Sequence, residues 1–342
     1  MRQLSFLRPG RVDWESVPDP VLTGPGTAVL RPLAVARCDL DIAMASGIFP
    51  GPYPVGHEVV GEVVAVGDDV RTHRVGDRVL VPFQVSCGTC PQCTGLRFAA
   101  CTTYRARAGA AFGFGEAGGG HGGAVADLLV VPAAEHLLLA APGALSATEL
   151  CTLPDNVVDA YRTVGPHLAE RPGADVLVLA DFPGAIGLYA VACAVALGAA
   201  NVRYVDSGPE RRAAAETMGA NVIAHDGDWP RRYERAAITV DCTGSVDGLA
   251  CCLRSTEDYG VCTGVAIQFT PMTPVPLLEM YTRGVTLLTS RADSRKYLPE
   301  VVDLAATGVL RPLDIPTTVV DWADAATAWL TPATKLVVTR AE

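Results

Sequence analysis

Two textures divide the chain. Over roughly the first 150 residues, short strand-like runs at 27–32, 59–66, 78–82 and 124–131 are separated by stretches rich in Gly and Pro. Runs of this length bounded by turn formers predict a mainly β, loop-rich module. From about Asp155 the pattern changes. Strand-like runs at 176–180, 201–206, 221–224, 238–242, 259–264 and 285–289 now alternate with helical stretches, one ending near Leu197 and another near Met218. That alternation predicts a parallel sheet with helices on both faces. Beyond Ser290 the pattern predicts one helix over 298–307 and two more strands, 317–320 and 335–339. There is no internal repeat and no low-complexity linker.

Composition narrows the function classes. A chain of 342 residues is long enough for two domains, and 49% hydrophobic with 19% charged residues supports a large core. A net charge of −10 without any basic run argues against a nucleic-acid partner. No apolar stretch reaches a membrane-spanning length; 177–180 and 190–200 read as a buried strand and a core helix. The N-terminus has no signal-peptide core. Eleven cysteines without a secretion signal favour thiols and metal ligands over disulfides, and place the protein in the cytoplasm. Lysine occurs only as Lys296 and Lys335, from which no function is read.

The candidate chemistry lies in three places. Cys87-x2-Cys90-x2-Cys93-x7-Cys101 has the spacing to close a tetrahedral thiolate cage round one zinc. Cys38 and the triplet Gly56-His57-Glu58 offer one sulfur, one nitrogen and one carboxylate, which suits a zinc with an open position. The turn Ala180-Asp181-Phe182-Pro183-Gly184-Ala185-Ile186-Gly187 follows the first strand of the second half. Gly184 and Gly187 fill the second and third places of the dinucleotide pattern Gly-x-Gly-x-x-Gly, and Phe182 stands in the first. Residues Phe182, Pro183, Gly184, Ala185, Ile186 and Gly187 are therefore expected around a pyrophosphate at the helix N-terminus. Asp206 closes the second strand; a carboxylate there accepts from the ribose hydroxyls of NAD and repels the 2′-phosphate of NADP. Its alternative role is a helix cap or solvated turn. Arg211 and Arg212 oppose the preference for NAD.

Taken together, Cys38, the Gly56-His57-Glu58 turn, the four-cysteine lobe and the later nucleotide pattern resemble the zinc-dependent medium-chain alcohol dehydrogenases from end to end, in that family's order and spacing. The subgroup resembled is that of bacterial secondary-alcohol, polyol and threonine dehydrogenases. The resemblance implies an α/β Rossmann domain inserted in a mainly β, GroES-like catalytic domain: 1–154 catalytic with a structural zinc lobe at 87–101, 155–290 nucleotide-binding, and 291–342 returning to the catalytic domain. It implies two Zn2+ per chain, NAD as cofactor with NADP second, a small alcohol or ketone as substrate, a cleft holding zinc and nicotinamide, and a homodimer or homotetramer. It assigns Cys38, His57 and Asp155 as ligands of a catalytic zinc, Glu58 as a ligand or close neighbour, and Asp41 as a support. Arg211 joins the cofactor contacts. Each residue also has a plain reading: Cys38 as a small buried apolar group, His57 as a core histidine, Asp155 as a helix cap. The other six cysteines are read as core.

The chain departs from the family in two ways. Leu40 stands where relatives carry the Ser or Thr of a proton relay, and Ala43 where a histidine is frequent. Asp159, one helical turn beyond Asp155, is a candidate substitute base or substrate-recognition carboxylate; otherwise it is a solvated helix-face residue. His121, in a Gly-rich loop, either reaches the cleft or is exposed. The nucleotide turn is two residues longer than usual, and Phe182 lacks the freedom of glycine. The leading reading is a zinc- and NAD-dependent enzyme that interconverts a secondary alcohol and its ketone by hydride transfer. Its substrate would be a polyol, cyclitol, amino alcohol or specialised-metabolite intermediate, recognised by loops around 49–53, 104–114 and 269–280. A biosynthetic carbonyl or iminium reductase, and a zinc-stabilised binding protein without catalysis, are the alternatives.

Overall fold

The computed structural model describes residues 1–48, 51–181 and 184–340. Its chain divides into two compact units. One comprises 1–158, 292–308 and 317–342; the other comprises 159–291 and 309–316.

The first unit is built on a seven-stranded sheet. Its path runs Thr317–Asp321, Lys335–Thr339, Ala28–Arg37, Glu58–Val66, Arg78–Val81, Leu139–Ala140, with Leu129–Val131 also pairing Ala28–Arg37. Thr317–Asp321 lies parallel to Lys335–Thr339, and the remaining pairs are antiparallel. The C-terminal strand therefore sits against the long strand that leads into Cys38, with Leu336 opposite Arg37. A smaller sheet pairs Arg2–Arg8 with Arg11–Ser16 and Tyr53–Pro54. Its inward-facing Leu4 and Phe6 join one apolar core with Val35, Val59, Val63, Phe112 and Trp329.

The second unit holds a six-stranded sheet in the order Asn221–Ala224, Val202–Asp206, Val176–Ala180, Ala236–Cys242, Thr256–Gly264, Thr286–Thr289, all parallel. Val176–Ala180 and Val202–Asp206 are buried along their whole length, as strands covered on both faces must be. Glycine at 187 has a packing reason. A methyl group there would lie 3.0 Å from Ala180 Cβ and 3.4 Å from the Tyr204 ring, so helix Ile186–Ala196 approaches its strands only without a side chain.

Several expectations change. The run at 124–131 is a strand only over Leu129–Val131. Helix 298–307 begins earlier, as Ser294–Ala306, with Pro299 inside it. Strands Arg2–Arg8 and Arg11–Ser16 and helices Val246–Arg254 and Leu277–Arg283 were not in the sequence pattern, whereas the helix expected after Asp155 is Val158–Glu170. Helix Leu277–Arg283 takes in the end of the supposed 269–280 loop. Phe49, Phe182 and Pro183 lie outside the described residues.

Candidate metal and cofactor sites

In the lobe, the four sulfurs of Cys87, Cys90, Cys93 and Cys101 converge. Sγ separations are 3.5 Å for Cys90–Cys93, 3.9 Å for Cys90–Cys101 and 4.0 Å for Cys87–Cys93. Zinc bonded to thiolates at about 2.3 Å in a tetrahedron sets its sulfurs about 3.8 Å apart, so the donor set fits that ion. Backbone N–H groups of Cys90, Thr102 and Tyr104 point at the sulfurs of Cys87, Cys90 and Cys101. Thr103 adds a hydroxyl to Cys87 at 3.1 Å. Such donors favour thiolate, and hydrogen bonds from Thr102 hold the Cys90 thiol well below its ordinary value.

The second cluster gathers Cys38, His57, Glu58 and Asp155, all buried, with one ligand atom from each lying within 4.8 Å of the others. Three local devices build it. Cys38 caps helix Asp39–Ala45: its sulfur accepts from Leu40 N at 3.4 Å while Asp41 Oδ2 accepts from Cys38 N at 2.9 Å. Gly56 adopts φ +89°, and a Cβ there would meet Val125 at 2.7 Å, so only glycine lets the chain turn His57 inward. A π-type turn over Leu153–Val157 carries Asp155 and Asn156 side by side at the start of the long helix.

His57 Nε2 lies 3.2 Å from Asp155 Oδ2. Two ligands of one tetrahedral zinc at about 2.0–2.2 Å stand about 3.4 Å apart, so this pair also fits the ion. Nδ1 of the same ring faces Asp41 Oδ1 at 3.8 Å. The Phe83 and Phe114 rings pack on His57 at 5.6 and 5.3 Å and keep water from it.

Beneath these residues sits Lys335, wholly buried. Its ammonium donates to Arg37 O at 3.0 Å, to both oxygens of Glu58 at 2.7 and 2.8 Å, and to Asn156 Oδ1 at 2.6 Å. Each acceptor is the sequence neighbour of a candidate ligand: Arg37 precedes Cys38, Glu58 follows His57, and Asn156 follows Asp155. One cation thus ties three distant segments together. Because the ammonium takes Asn156 Oδ1, the amide must turn its NH2 towards the site, where Nδ2 reaches Cys38 Sγ and Asp155 Oδ2, each at 3.2 Å. Lysine suits this position better than arginine, since its compact head offers donors in three directions. Neither Lys335 nor Asn156 was singled out from sequence.

Other candidates resolve differently. Asp159 is neither solvated nor free: it is ion-paired with Arg162, both side chains nearly buried, and Arg162 also holds the Ser290 carbonyl at 3.2 Å. Residue 40 packs its leucine side chain against the core and offers no hydroxyl. His121 is half-buried against Tyr104 and Phe112 instead of being exposed. The other six cysteines are all buried.

In the nucleotide unit, Asp206 ends its strand fully buried. Oδ1 accepts from Gly208 N and Arg211 Nη2, both at 2.6 Å; Oδ2 accepts from Arg211 Nε at 2.8 Å and from the Tyr204 hydroxyl. Arg212 donates to the carbonyls of Asp206 and Ser207, each at 2.7 Å.

Two outcomes follow from the buried cluster. Replacing Lys335 by Met leaves the Glu58 carboxylate buried without its cation; unfolding by denaturant should show a loss of about 3–5 kcal/mol, and an unchanged midpoint would contradict the tie. The second concerns protons. Burial pushes the His57 pKa down, but the charges of Asp41, Asp155 and Glu58 outweigh it and raise it from 6.5 to about 9. Burial and the same carboxylates push the Cys38 thiol up as well. The charge on His57 stabilises the apo fold fully below pH 6.5 and is lost as pH rises through about 9. An incoming metal must displace that proton. Zinc affinity at this cluster, measured by calorimetry in buffers of different ionisation enthalpy, should therefore climb from pH 6 towards 9 with proton release; a flat profile would contradict the assignment.

Comparison with known proteins agrees with this geometry. The profile of the alcohol dehydrogenase GroES-like domain matches residues 24–142, and that of the zinc-binding dehydrogenase matches 185–307. A Mycobacterium tuberculosis protein described as "Probable zinc-binding alcohol dehydrogenase Rv1895" is 31% identical over 97% of this chain and 85% of its own. A glutathione-independent formaldehyde dehydrogenase of Pseudomonas aeruginosa is 34% identical over 70% of this chain and 64% of its own. Among solved structures, the alcohol dehydrogenase TADH from Thermus sp. ATN1 superposes with a TM-score of 0.90 at 28% identity, covering 100% of both chains. The chain belongs to the zinc-dependent medium-chain alcohol dehydrogenases, oxidoreductases with a GroES-like domain and a Rossmann-like nucleotide domain.

Proposed function

We propose that the protein interconverts a secondary alcohol and its ketone with NAD, using one zinc held by Cys38, His57 and Asp155 and a second held by Cys87, Cys90, Cys93 and Cys101. The observation that carries this reading is the division of labour around Lys335. Glu58 is committed with both oxygens to the ammonium, which leaves three donors at the cluster. A zinc site with three protein ligands keeps a position for substrate. When bound, zinc supplies Lewis acidity to the substrate oxygen and the nicotinamide exchanges the hydride.

The residues' own part is positioning. To a zinc, Cys38 would present an anionic sulfur and His57 a neutral nitrogen, each after giving up the proton that its surroundings favour. Asp41 holds the Cys38 backbone through its N–H, and Asn156 turns its amide on the Cys38 sulfur. Two aromatic rings exclude water from His57. With Leu40 in the relay position, the proton does not leave through a side-chain hydroxyl there, and Asp159 is neutralised by Arg162. Proton exchange with solvent fits a polyol, cyclitol or amino alcohol that brings its own hydroxyls. It fits equally the reductive direction, the second reading.

The second unit supports self-association. Strand Thr286–Thr289 is the last of its sheet and largely exposed, and helix Leu277–Arg283 beside it in sequence exposes Leu277, Leu278 and Tyr281. An open strand edge with apolar neighbours favours pairing with a second copy. Light scattering should report a dimer or tetramer, with Tyr281→Glu shifted towards monomer; a wild-type monomer would rule this out.

The function is tested by NADH formation from zinc-loaded protein over a panel of secondary alcohols, polyols, cyclitols and amino alcohols. One class should turn over and stop when a chelator is added. Cys38→Ser should lose at least about a hundredfold, the scale of a lost Lewis acid, while retaining one zinc per chain in the lobe. Full activity in Cys38→Ser would overturn the reading.

A further inference from the structure

A side-chain amide has one oxygen that accepts and one nitrogen with two hydrogens to donate. Asn156 is wholly buried, and its surroundings decide which end goes where. Lys335 has only donors to offer, so the amide oxygen must face the ammonium; the contact is 2.6 Å. The nitrogen is thereby turned the other way. Nδ2 lies 3.2 Å from Cys38 Sγ and 3.2 Å from Asp155 Oδ2, one hydrogen for each. The whole capacity of the amide is spent between one cation and two candidate metal ligands.

This order has an electronic consequence. The ammonium draws density onto the amide oxygen and makes the N–H bonds stronger donors, because hydrogen bonds in a chain polarise one another at low dielectric. A donor on a thiolate or carboxylate holds that group's electrons back. A ligand so held gives less to a bound cation and leaves the cation more electrophilic; such partners behind the ligands tune a metal as well as orient it. Leu40 N adds a longer contact to the same sulfur, at 3.4 Å. Glu58 is met by the ammonium directly, through both oxygens. Lys335 thus acts on Glu58 by contact, and on Cys38 and Asp155 through one amide.

We infer that Asn156 is a positioning residue of the proposed reaction: it carries the charge of Lys335 to Cys38 and Asp155, weakens both as electron donors, and so strengthens the pull of the zinc they would share on the substrate oxygen. The inference rests on the zinc site proposed above. A side chain that only filled this space would need no nitrogen. One that only accepted from Lys335 could be a carboxylate.

The test uses protein holding zinc in the four-cysteine lobe and cobalt(II) in the buried cluster, as wild type, Asn156→Leu and Asn156→Asp. Leucine removes acceptor and donors without adding charge. Aspartate keeps the shape and the acceptor for Lys335 but removes the donors. Zinc, with its filled d shell, is silent, so the sulfur-to-cobalt charge-transfer band reports Cys38. Imidazole, a neutral ligand, probes the open metal position by titration. The band should move to longer wavelength in both variants, since sulfur electrons freed of a donor pass to the metal more easily. Imidazole affinity should fall about tenfold in both, the low end of what a partner behind a metal ligand is worth. A change in Asn156→Asp alone would be the effect of its added charge. A change in Asn156→Leu alone would be that of the acceptor lost to Lys335. Either of these, or no change in both, overturns the inference alone. A wild type without the charge-transfer band, or without imidazole binding, overturns it together with the zinc site proposed above.

Discussion

Lys335 is an ammonium with no solvent-exposed surface. A buried cation is tolerated only where its partners are in place, and here those partners come from three segments that the chain keeps far apart. Arg37 ends the long strand, Glu58 begins the next, and Asn156 lies in the π-type turn before the long helix. Each of them is joined covalently to a candidate zinc ligand. Satisfying one charge therefore fixes where Cys38, His57 and Asp155 stand. The C-terminal strand that carries Lys335 pairs with the strand leading into Cys38, so the last elements of the first unit complete a site that its early residues begin.

Electrostatics separates the two metal clusters. In the lobe, hydrogen-bond donors hold the Cys87 and Cys90 thiols below their ordinary values at a half-open surface, which suits a zinc that would organise the loop. In the buried cluster the carboxylates of Asp41, Glu58 and Asp155 surround one imidazole and one thiol, and raise the pKa of both. The first arrangement suits a closed cage. The second is an anionic pocket suited to exchanging protons for a dication; with Glu58 held by Lys335, the proposed zinc site would keep one ligand position for chemistry. In the nucleotide unit a buried charge is likewise held by its neighbours: Asp206 is bonded by Tyr204 and Arg211.

The parts legible in the sequence are those in which chemistry is local. Cys90 and Cys93 have two residues between them, His57 and Glu58 are adjacent, and the alternation of strands and helices after Asp155 repeats at short range. Lys335 was invisible because its partners lie 179 to 298 residues away; one of two lysines among so many arginines was the only hint. The saturation of Asp206 was partly readable. Tyr204 lies two residues back on the same strand and so on the same face, and Arg211 lies within the next helical turn. Strands Arg2–Arg8 and Arg11–Ser16 escaped because their exposed positions carry charges that break the apolar run. The helix after Asp155 was expected, but its length was not, because Gly165 and Pro166 lie inside Val158–Glu170.

The most direct test is X-ray absorption at the zinc edge of the fully loaded protein, wild type beside Lys335→Met. The account predicts two shells in the wild type, sulfur at about 2.3 Å and nitrogen or oxygen at about 2.0–2.2 Å. In Lys335→Met it predicts that the sulfur shell persists while the lighter shell is depleted, because the three ligand segments have lost their common cation. A wild type with sulfur alone, or a variant whose lighter shell is unchanged, would contradict it.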